Sequence, residues 1–337
     1  MEKNRNIQPF FDLSVFNNDA EMLVKEQQAQ PQQVGFFRVR TANQCIVDAQ
    51  TQPVPRSLFH NLIFEGEITI LFADTGVGKS ILSVQIADEI SKTDKVLYID
   101  LELSDKQFQS RYSENYQDEY VFNENLYRVD FTRPFKLPDG TDYDTHIIES
   151  IRQLITTTGA KIVIFDNMTK TISGDTDSAR SAKPLMDCLN DLKFEYDLTL
   201  LLLEHTRKTD ATRPISLNDL QGSKFKANFA DAVFSIGRSA KDKNLRYVKQ
   251  LKCRSAEVVY DIDNVPVYEI IKENSFLHFK YLEFDTEFNH LKQPSETDTE
   301  QLKQKAFELK EQNVSNREIG RQVGKSEATI RKWFKAK

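Results

Sequence analysis

Short, continuous apolar runs alternate with amphipathic stretches between about residue 53 and residue 205. Runs without polar alternation are typical of strands in a parallel sheet that is covered on both faces. The predicted strands are EITILFA (67–73), KVLYIDLE (95–102), KIVIFD (161–166) and LTLLLLEH (198–205). The predicted helices include one from Lys79, one that Ser104 could cap, THIIESIRQLI (145–155) and PLMDCLNDLKF (184–194). This alternation predicts a doubly wound α/β core with a mostly parallel central sheet.

The pattern changes after about residue 230, where helices become rare. Four further strands are predicted there: DAVFSIG (231–237), RYVKQLKC (246–253), EVVYDID (257–263) and FLHFKYLEF (276–284). Hairpins or loops would join them, so the sheet is expected to end in an antiparallel extension.

Composition divides the chain into four parts. Residues 1–52 contain the run KEQQAQPQQ and are expected to form a flexible or partly docked arm. The core is expected to span 53–284. A polar segment at 285–301 is the predicted linker, and 302–337 is the predicted all-α module.

A candidate phosphate-binding loop, ADTGVGKS (73–80), lies between a predicted strand and a predicted helix. It matches G-x-x-x-x-G-K-[ST] except that Ala73 replaces the first glycine, a change that we expect a strand end to tolerate. Lys79 is expected to reach the β and γ phosphates of ATP, and Ser80 to ligate Mg²⁺. The expected ATP contacts are Asp74, Thr75, Gly76, Val77, Gly78, Lys79, Ser80 and Ile81. The alternative is a glycine turn that only starts a helix.

Two carboxylates follow predicted strands and complete this hypothesis. Asp166 ends KIVIFD and is expected to hold the magnesium shell. Glu102 ends KVLYIDLE and could orient the attacking water, although Asp100 competes for this role two residues earlier. Both could instead be ordinary acidic residues at strand ends.

Six segments together resemble the RecA/DnaB-type ATPase superfamily, and most closely the plasmid RepA-like hexameric helicases. These are ADTGVGKS, YIDLELS, IVIFDN, LLLEHTRK, LQGSKF and LKCR, in this order. The resemblance covers about residues 53–280 and implies that Glu102 is the catalytic base and His205 a polar sensor of the γ-phosphate. It also implies that Lys252 and Arg254 reach into the nucleotide site of a neighbouring subunit. A buried histidine and a basic solvent-facing strand are the alternatives.

Two polar loops, 167–183 and 206–226, would follow the Asp166 and His205 strands. Their Thr, Ser, Gly and basic residues are typical of loops that touch a nucleic-acid backbone, and equally of solvated loops without a ligand.

The segment 311–335 has the pattern of a helix-turn-helix and resembles resolvase-type domains. Ser315 and Glu318 form a predicted capping box, Gly324 the turn, and Ser326 a second cap. The expected inward-facing residues are Ile319, Val323, Ile330 and Trp333. The expected DNA contacts are Lys325, Thr329, Arg331, Lys332 and Lys335. A purely structural helical hairpin is the alternative.

Charge and composition add limits to this interpretation. The net charge is −6, yet residues 302–337 carry ten Lys or Arg against four Glu, so this end is +6 and the remainder −12. Such asymmetry favours a polyanion-binding tail. Three scattered cysteines lack metal spacing, no apolar run reaches the roughly 18 residues of a membrane span, and no signal peptide is evident. A cytoplasmic location without membrane association is expected.

The sequence therefore predicts an ATP- and Mg²⁺-dependent DNA-binding motor, a helicase-like ATPase that acts in replication or mobilisation of a plasmid or mobile element. A homo-oligomer, most simply a hexamer, would bind single strands through its ring and duplex through its tail. The alternatives are a nucleotide-switched DNA-binding regulator and a recombination-type filament ATPase without unwinding activity.

Overall fold

The computed structural model describes residues 32–132, 137, 139–140, 142–167, 179–207, 210–221, 223–292, 296–323, 325 and 327–335. The chain divides into two compact units, Met1–Pro55 and Arg56–Lys337. Within the first unit, strands β1 (Gln32–Val34) and β2 (Phe37–Val39) form an antiparallel hairpin. Helix α1 (Ala42–Gln50) follows, with the Thr41 hydroxyl accepting from the Gln44 amide at 3.1 Å. No residue of α1 is buried.

The second unit contains the remaining strands and helices. Its strands are β3 (Ser57–Phe59), β4 (Ile63–Phe64), β5 (Ile68–Ala73), β6 (Val96–Asp100), β7 (Ser113–Glu114), β8 (Asp118–Glu119), β9 (Leu126–Val129), β10 (Ile162–Asp166), β11 (Thr199–His205), β12 (Ala232–Arg238), β13 (Leu245–Cys253), β14 (Val265–Glu273) and β15 (Phe276–Asp285). Its helices are α2 (Lys79–Ser91), α3 (Asp105–Arg111), α4 (Tyr143–Thr158), α5 (Ala179–Tyr196), α6 (Ser223–Phe229), α7 (Glu296–Glu311), α8 (Asn316–Val323) and α9 (Glu327–Lys335). The described residues of this unit also form 3-10 helices at Leu217–Asp219 and Glu287–His290.

Nine strands form one central sheet in the order β15-β14-β13-β12-β5-β11-β10-β6-β9. The six strands from β12 to β9 are parallel, and β13, β14 and β15 continue the sheet antiparallel. All residues of β5, β6 and β10 are buried, as expected for strands covered on both faces. The predicted α/β class, with a mostly parallel sheet and an antiparallel extension, is confirmed.

One predicted strand, EVVYDID (257–263), is wrong. The segment is irregular, because the Gln250 side chain accepts hydrogen bonds from the Val259 and Tyr260 amides at 2.8 and 3.0 Å. The neighbouring strand is instead β14, which begins two residues later. A two-residue turn, Asn274-Ser275, joins β14 to β15, with both φ angles positive, as hairpin turns that match strand twist require.

Three helices close the chain. Helices α7, α8 and α9 pack around Ala306, Ile319, Val323 and Ile330. The Ser315 hydroxyl accepts from the Glu318 amide at 3.3 Å, and Trp333 packs against the cluster. Gly324 and Ser326 lie outside the described residues. The predicted linker (285–301) contains the second 3-10 helix and the first residues of α7, so its bounds stay a prediction.

Candidate nucleotide-binding site

The loop between β5 and α2 has the backbone of an anion cradle. Gly76 and Gly78 have φ of +71° and +112°, in the left-handed region that glycine adopts without strain. Gly78 is the N-cap of α2 and has no side chain, so no capping side chain occupies the first amide groups of the helix. Amides at a helix N-terminus bind phosphate through hydrogen bonds and the helix dipole.

The loop is tightly supported at Gly78. A Cβ placed there would lie 2.9 Å from Cζ of Phe279 and 3.1 Å from Cδ1 of Ile270. The Gln85 side chain holds Phe279 against α2, accepting from its amide at 2.8 Å and donating to its carbonyl at 3.2 Å. The narrow space at this position therefore requires glycine as much as the backbone angle does.

Ala73 is the last residue of β5 and is fully buried in the strand. Its extended position does not demand glycine, and its carbonyl accepts from the Lys79 ammonium at 2.9 Å. The structure thus gives a physical account of why alanine can stand at this position of the loop.

Lys79 lies at the centre of the site and is 8% exposed. Its Nζ also contacts the Asp74 carbonyl at 3.4 Å and Nδ1 of His205 at 3.3 Å. Burial lowers the pKa of Lys79, while the charges of Asp166 and Glu102 oppose this shift. A desolvated ammonium surrounded by loop carbonyls is well placed to meet an incoming anion.

Asp166 is buried at the end of β10, next to Ser80. The Tyr98 hydroxyl donates to Oδ2 of Asp166 at 2.7 Å and lies 2.9 Å from the Ser83 hydroxyl. Burial raises the pKa of Asp166 to about 6, although hydrogen bonds from Ser80 and Tyr98 pull it down. A hydroxyl and a desolvated carboxylate side by side form a donor set that suits a hard cation such as Mg²⁺.

A chain of polar contacts connects the predicted base to the loop lysine. The Asn167 side-chain amide donates to Oε1 of Glu102, and its Nδ2 lies 3.2 Å from Nε2 of His205. His205 contacts Lys79 through its other ring nitrogen. Sequence reasoning did not select Asn167, although it is the residue that directly follows the Asp166 strand.

The Asp100 carboxylate forms hydrogen bonds outside the phosphate loop. It accepts from Arg128 at 2.9 Å and from the amides of Glu102 and Leu103 at 3.1 and 2.9 Å. It is 1% exposed, whereas Glu102 is exposed at the mouth of the site. The geometry therefore favours Glu102 over Asp100 as the group that could meet water.

Lys252 and Arg254 lie away from the loop of their own chain. Strand pairing sets Cys253 beside Ala232, and Ala232 beside Thr69 near the start of β5, whereas the loop follows the end of β5. The Lys252 ammonium donates to the carbonyls of Ala227 and Ala230 at 2.7 and 2.6 Å, at the end of α6. The Arg254 side chain is 54% exposed and pairs with Asp231 at 3.0 Å.

Two arginines that the sequence did not single out brace the loop from β12 and β13. Nε of Arg246 donates to the Val77 carbonyl at 2.8 Å, and Nη2 of Arg238 donates to the Thr75 carbonyl at 3.1 Å. The antiparallel register sets Arg238 opposite Arg246 at this end of the sheet. The sequence signal for these two arginines is the predicted hairpin, because they lie where its first strand ends and its second strand begins.

The predicted DNA-contacting residues differ in exposure. Arg331, Lys332 and Lys335 are exposed on α9, while Lys325 and Thr329 are half-buried. Arg331 pairs with Glu327 one turn earlier, at 2.6 Å. Of the two predicted loops, most of 167–183 lies outside the described residues.

The comparisons with known proteins now bear on this site. A family model for the AAA domain matches residues 35–211, just over half of the chain. The chain belongs to the AAA domain family. The match contains the loop, Glu102, Asp166 and His205, and ends before Lys252, Arg254 and the C-terminal helices.

One solved structure similar to this AAA domain protein is that of a KaiC-like protein from the hyperthermophilic archaeon Pyrococcus horikoshii OT3. The two share 16% identity, the alignment covers 66% of this chain and 94% of that chain, and the TM-score is 0.47. No curated protein sequence matches the chain. The mostly parallel sheet and the phosphate loop of this protein agree with its membership of the AAA domain family.

Two features are absent from the described residues. These residues contain no group of three or more His, Cys, Asp or Glu side chains that could hold a metal by themselves. Within the same residues, no helix is both long enough and apolar enough to cross a membrane.

Proposed function

We propose that this AAA domain protein is an ATP-dependent DNA-binding motor, helicase-like, that serves replication or mobilisation of a plasmid or mobile element. The observation that carries the proposal is the contact chain from Lys79 through His205 and Asn167 to Glu102. It joins the phosphate loop to the strand end from which the loop 206–226 leaves. A change at the γ-phosphate would therefore reach a DNA-facing loop directly.

The residues of the chain divide the chemistry between them. The amides around Gly76 and Gly78 bind phosphate, and Lys79 leaves its loop carbonyls for phosphate oxygens. Glu102 accepts the proton of the attacking water, with Asn167 fixing the carboxylate that does so. The remaining proposed ATP contacts are Asp74, Thr75, Val77, Ser80 and Ile81.

Ser80 and Asp166 would hold Mg²⁺ together with phosphate oxygens. When bound, the ion supplies positive charge against the charge that develops on the phosphates. Tyr98 and Ser83 fix the Asp166 carboxylate from behind, because their hydroxyl groups form one hydrogen-bonded chain to it.

We assign the trans role mainly to Arg254. The Arg254 guanidinium pairs with Asp231 and donates to the Asn228 carbonyl at 3.0 Å, but its side chain is 54% exposed and can meet a neighbouring site and stabilise charge there. The Lys252 ammonium is held by the carbonyls of Ala227 and Ala230. The motor is then a ring, most simply a hexamer, with an arm (1–52), a core (53–284), a linker (285–301) and a DNA-binding module (302–337). The ring would take single strands and the module duplex.

DNA-stimulated ATP turnover tests the mechanism. We expect Glu102→Gln to lower turnover by about 10²- to 10⁴-fold while ATP still binds, because general base catalysis contributes this much. Lys79→Ala is expected to abolish both binding and turnover. Asp105→Asn is the matched control, because Asp105 lies three residues after Glu102 and pairs with Arg128. Near-wild-type turnover in Glu102→Gln would remove the mechanism.

The second candidate is a nucleotide-switched DNA-binding regulator, or a filament ATPase that does not unwind. The exposed basic residues Arg331, Lys332 and Lys335 favour it, because a motor that encircles single strands has no need of a duplex-binding tail. Unwinding of a forked duplex separates the two. ATP turnover with no unwinding, together with ATP-dependent duplex binding, would favour the regulator.

A further inference from the structure

The second unit exposes a patch of large apolar side chains beside the edge strand β15. We name it the aromatic patch and define it by Val258, Val259, Tyr281, Leu282, Phe284 and Phe288, each 41–52% exposed. The Phe284 ring lies 5.5 Å from Tyr281 and stacks with Tyr260 at 6.0 Å. The Glu287 amide donates to the Ile262 carbonyl at 2.8 Å, which joins the Val258 segment to the Phe288 helix.

A monomer gains little from such a surface. Contiguous apolar patches with exposed aromatic rings mark interaction sites more often than inert surface. The patch also follows Arg254 directly in the chain, since Val258 is only four residues beyond it. The Gln250 side chain also holds Val259 and Tyr260 beside β13, the strand that Arg254 follows, so the Val258 end of the patch lies near Arg254 in the fold.

The opposite edge of the sheet offers a complementary groove. A cavity of about 620 Å³ lies between β6, β9 and α4, and its apolar lining includes Leu101, Phe131, Ile147 and Leu154. A second cavity of about 390 Å³ shares Leu101, Asp130 and Phe131 with it and extends to Glu102. The groove is thus apolar along α4 and acidic at the predicted base.

We propose that the aromatic patch of one copy of this chain docks in the groove of the next copy, and that this contact delivers Arg254 to the Glu102 end. Apolar surface meets apolar surface, and the arginine meets carboxylates. Because β15 and β9 are the two edges of one sheet, the contact is head-to-tail and continues from copy to copy. The role of Arg254 rests on the proposed function, whereas the docking contact does not.

Two one-sided variants test the contact in the full-length protein. Phe284→Glu places a charge in the aromatic patch and keeps the groove intact. Leu154→Glu places a charge in the groove and keeps the aromatic patch intact. With ATP, the wild type is expected to assemble, each variant to remain monomeric, and their equal mixture to form dimers, because one intact contact remains. Mass photometry measures the mass of the particles in the wild type, in each variant and in the mixture. Phe194→Glu, at a side chain 74% exposed on α5, is the matched control and should assemble as wild type.

Folding is checked by far-UV circular dichroism, and Gln153→Trp, at an exposed position of the groove, replaces Leu154→Glu if that variant misfolds. The contact is overturned if the wild type stays monomeric with ATP, if Phe284→Glu assembles normally, or if two folded one-sided variants do not form dimers. Assembly of the wild type only around added single-stranded DNA, with the patch crosslinked to bases, would overturn it as well.

ATP turnover of the mixed dimer separates this contact from the proposed function. The complete site belongs to the Phe284→Glu chain and the arginine to the groove-variant chain. Arg254→Ala should therefore abolish regained turnover when placed in the groove variant, and change nothing when placed in the patch variant. Dimers without regained turnover would keep the contact and remove the trans role of Arg254.

Discussion

Gly78 meets two demands that usually occur apart. Its φ of +112° suits only glycine, and its missing side chain leaves room for Phe279. Gly66 has a positive φ of +73° as well, but a Cβ there would meet nothing within 4 Å. The pair therefore separates backbone strain from steric conflict within one chain.

We expect Gly78→Ala to cost more than Gly66→Ala. Strain of a left-handed alanine is about 1–2 kcal/mol at either site. At Gly78 the clash with Phe279 must add to this and displace the loop, so ATP binding should weaken as well. Urea unfolding and fluorescent-nucleotide titration measure the two effects. Equal losses in both variants, with unchanged nucleotide affinity, would show that Phe279 moves aside easily.

Ala73→Gly tests the opposite direction at the same loop. The position is a buried strand end that needs no special backbone angle, so we expect ATP affinity to change less than about twofold. Stability should fall by about 0.5–1 kcal/mol, because glycine loses more backbone entropy on folding. A large gain in affinity would mean that the alanine methyl group strains the loop.

Helix α6 lies between two charged anchors and shows what an element needs beyond its own sequence. Lys226 forms a buried ion pair with Glu204 at 2.7 Å, beside His205, and Lys252 holds the carbonyls at the C-terminal end of the helix. The seven residues of α6 are too few to form a stable helix alone. Both anchors therefore fix it to the sheet next to the site.

Removing one of these anchors should be costly. Lys226→Met leaves the Glu204 carboxylate buried without the ammonium that faces it, a change expected to cost about 3–5 kcal/mol. The double variant Lys226→Met/Glu204→Gln should recover most of this loss, because the buried charge disappears. Chemical denaturation of the three proteins provides the comparison. An additive double variant would mean that the two side chains do not act as a pair.

The extent of sequence-based prediction differs between these elements. Four of the six parallel strands, β5, β6, β10 and β11, were predictable because each is a continuous apolar run, and their order along the chain placed Asp166 at a strand end and Glu102 two residues beyond one. The half-buried strand β9 was not predicted, and β12, which was expected in the antiparallel extension, pairs in parallel with β5. The irregular segment 257–263 misled because valines and tyrosine favour strands, while a distant side chain, Gln250, decides its backbone pairing. The sequence likewise gave no sign that Lys252 is hydrogen-bonded, because its partners are carbonyl groups at the end of α6, which lies close to it only in the folded chain.

At the scale of the whole molecule, the basic end belongs to the same compact unit as the acidic body, Arg56–Lys337. The three C-terminal helices have their own small core, and Arg331, Lys332 and Lys335 project from the last of them. Contacts between such side chains and DNA phosphates would determine affinity and salt dependence more than sequence preference.

Neutralising these three side chains should weaken duplex DNA binding uniformly across sequences. In Arg331→Ala/Lys332→Ala/Lys335→Ala we expect the slope of log K against log salt to fall by about three, because each of the three cations neutralises one phosphate. ATP turnover without DNA should stay unchanged. Lys305→Ala, at an exposed lysine of α7, is the control and should lower the slope by less than about one. An unaltered slope in the triple variant would place the duplex-binding surface elsewhere.

The packing of Phe279 against Gly78 also has a consequence for folding during translation. The two residues are about 200 positions apart, so the phosphate loop leaves the ribosome long before the strand that braces it. At about 5–20 residues per second this interval is roughly 10–40 s. Throughout it the phosphate loop of the nascent chain lacks the packing of Phe279 and Ile270 against Gly78. Slow translation of the β14–β15 region would lengthen the period in which the parallel strands are exposed without these partners.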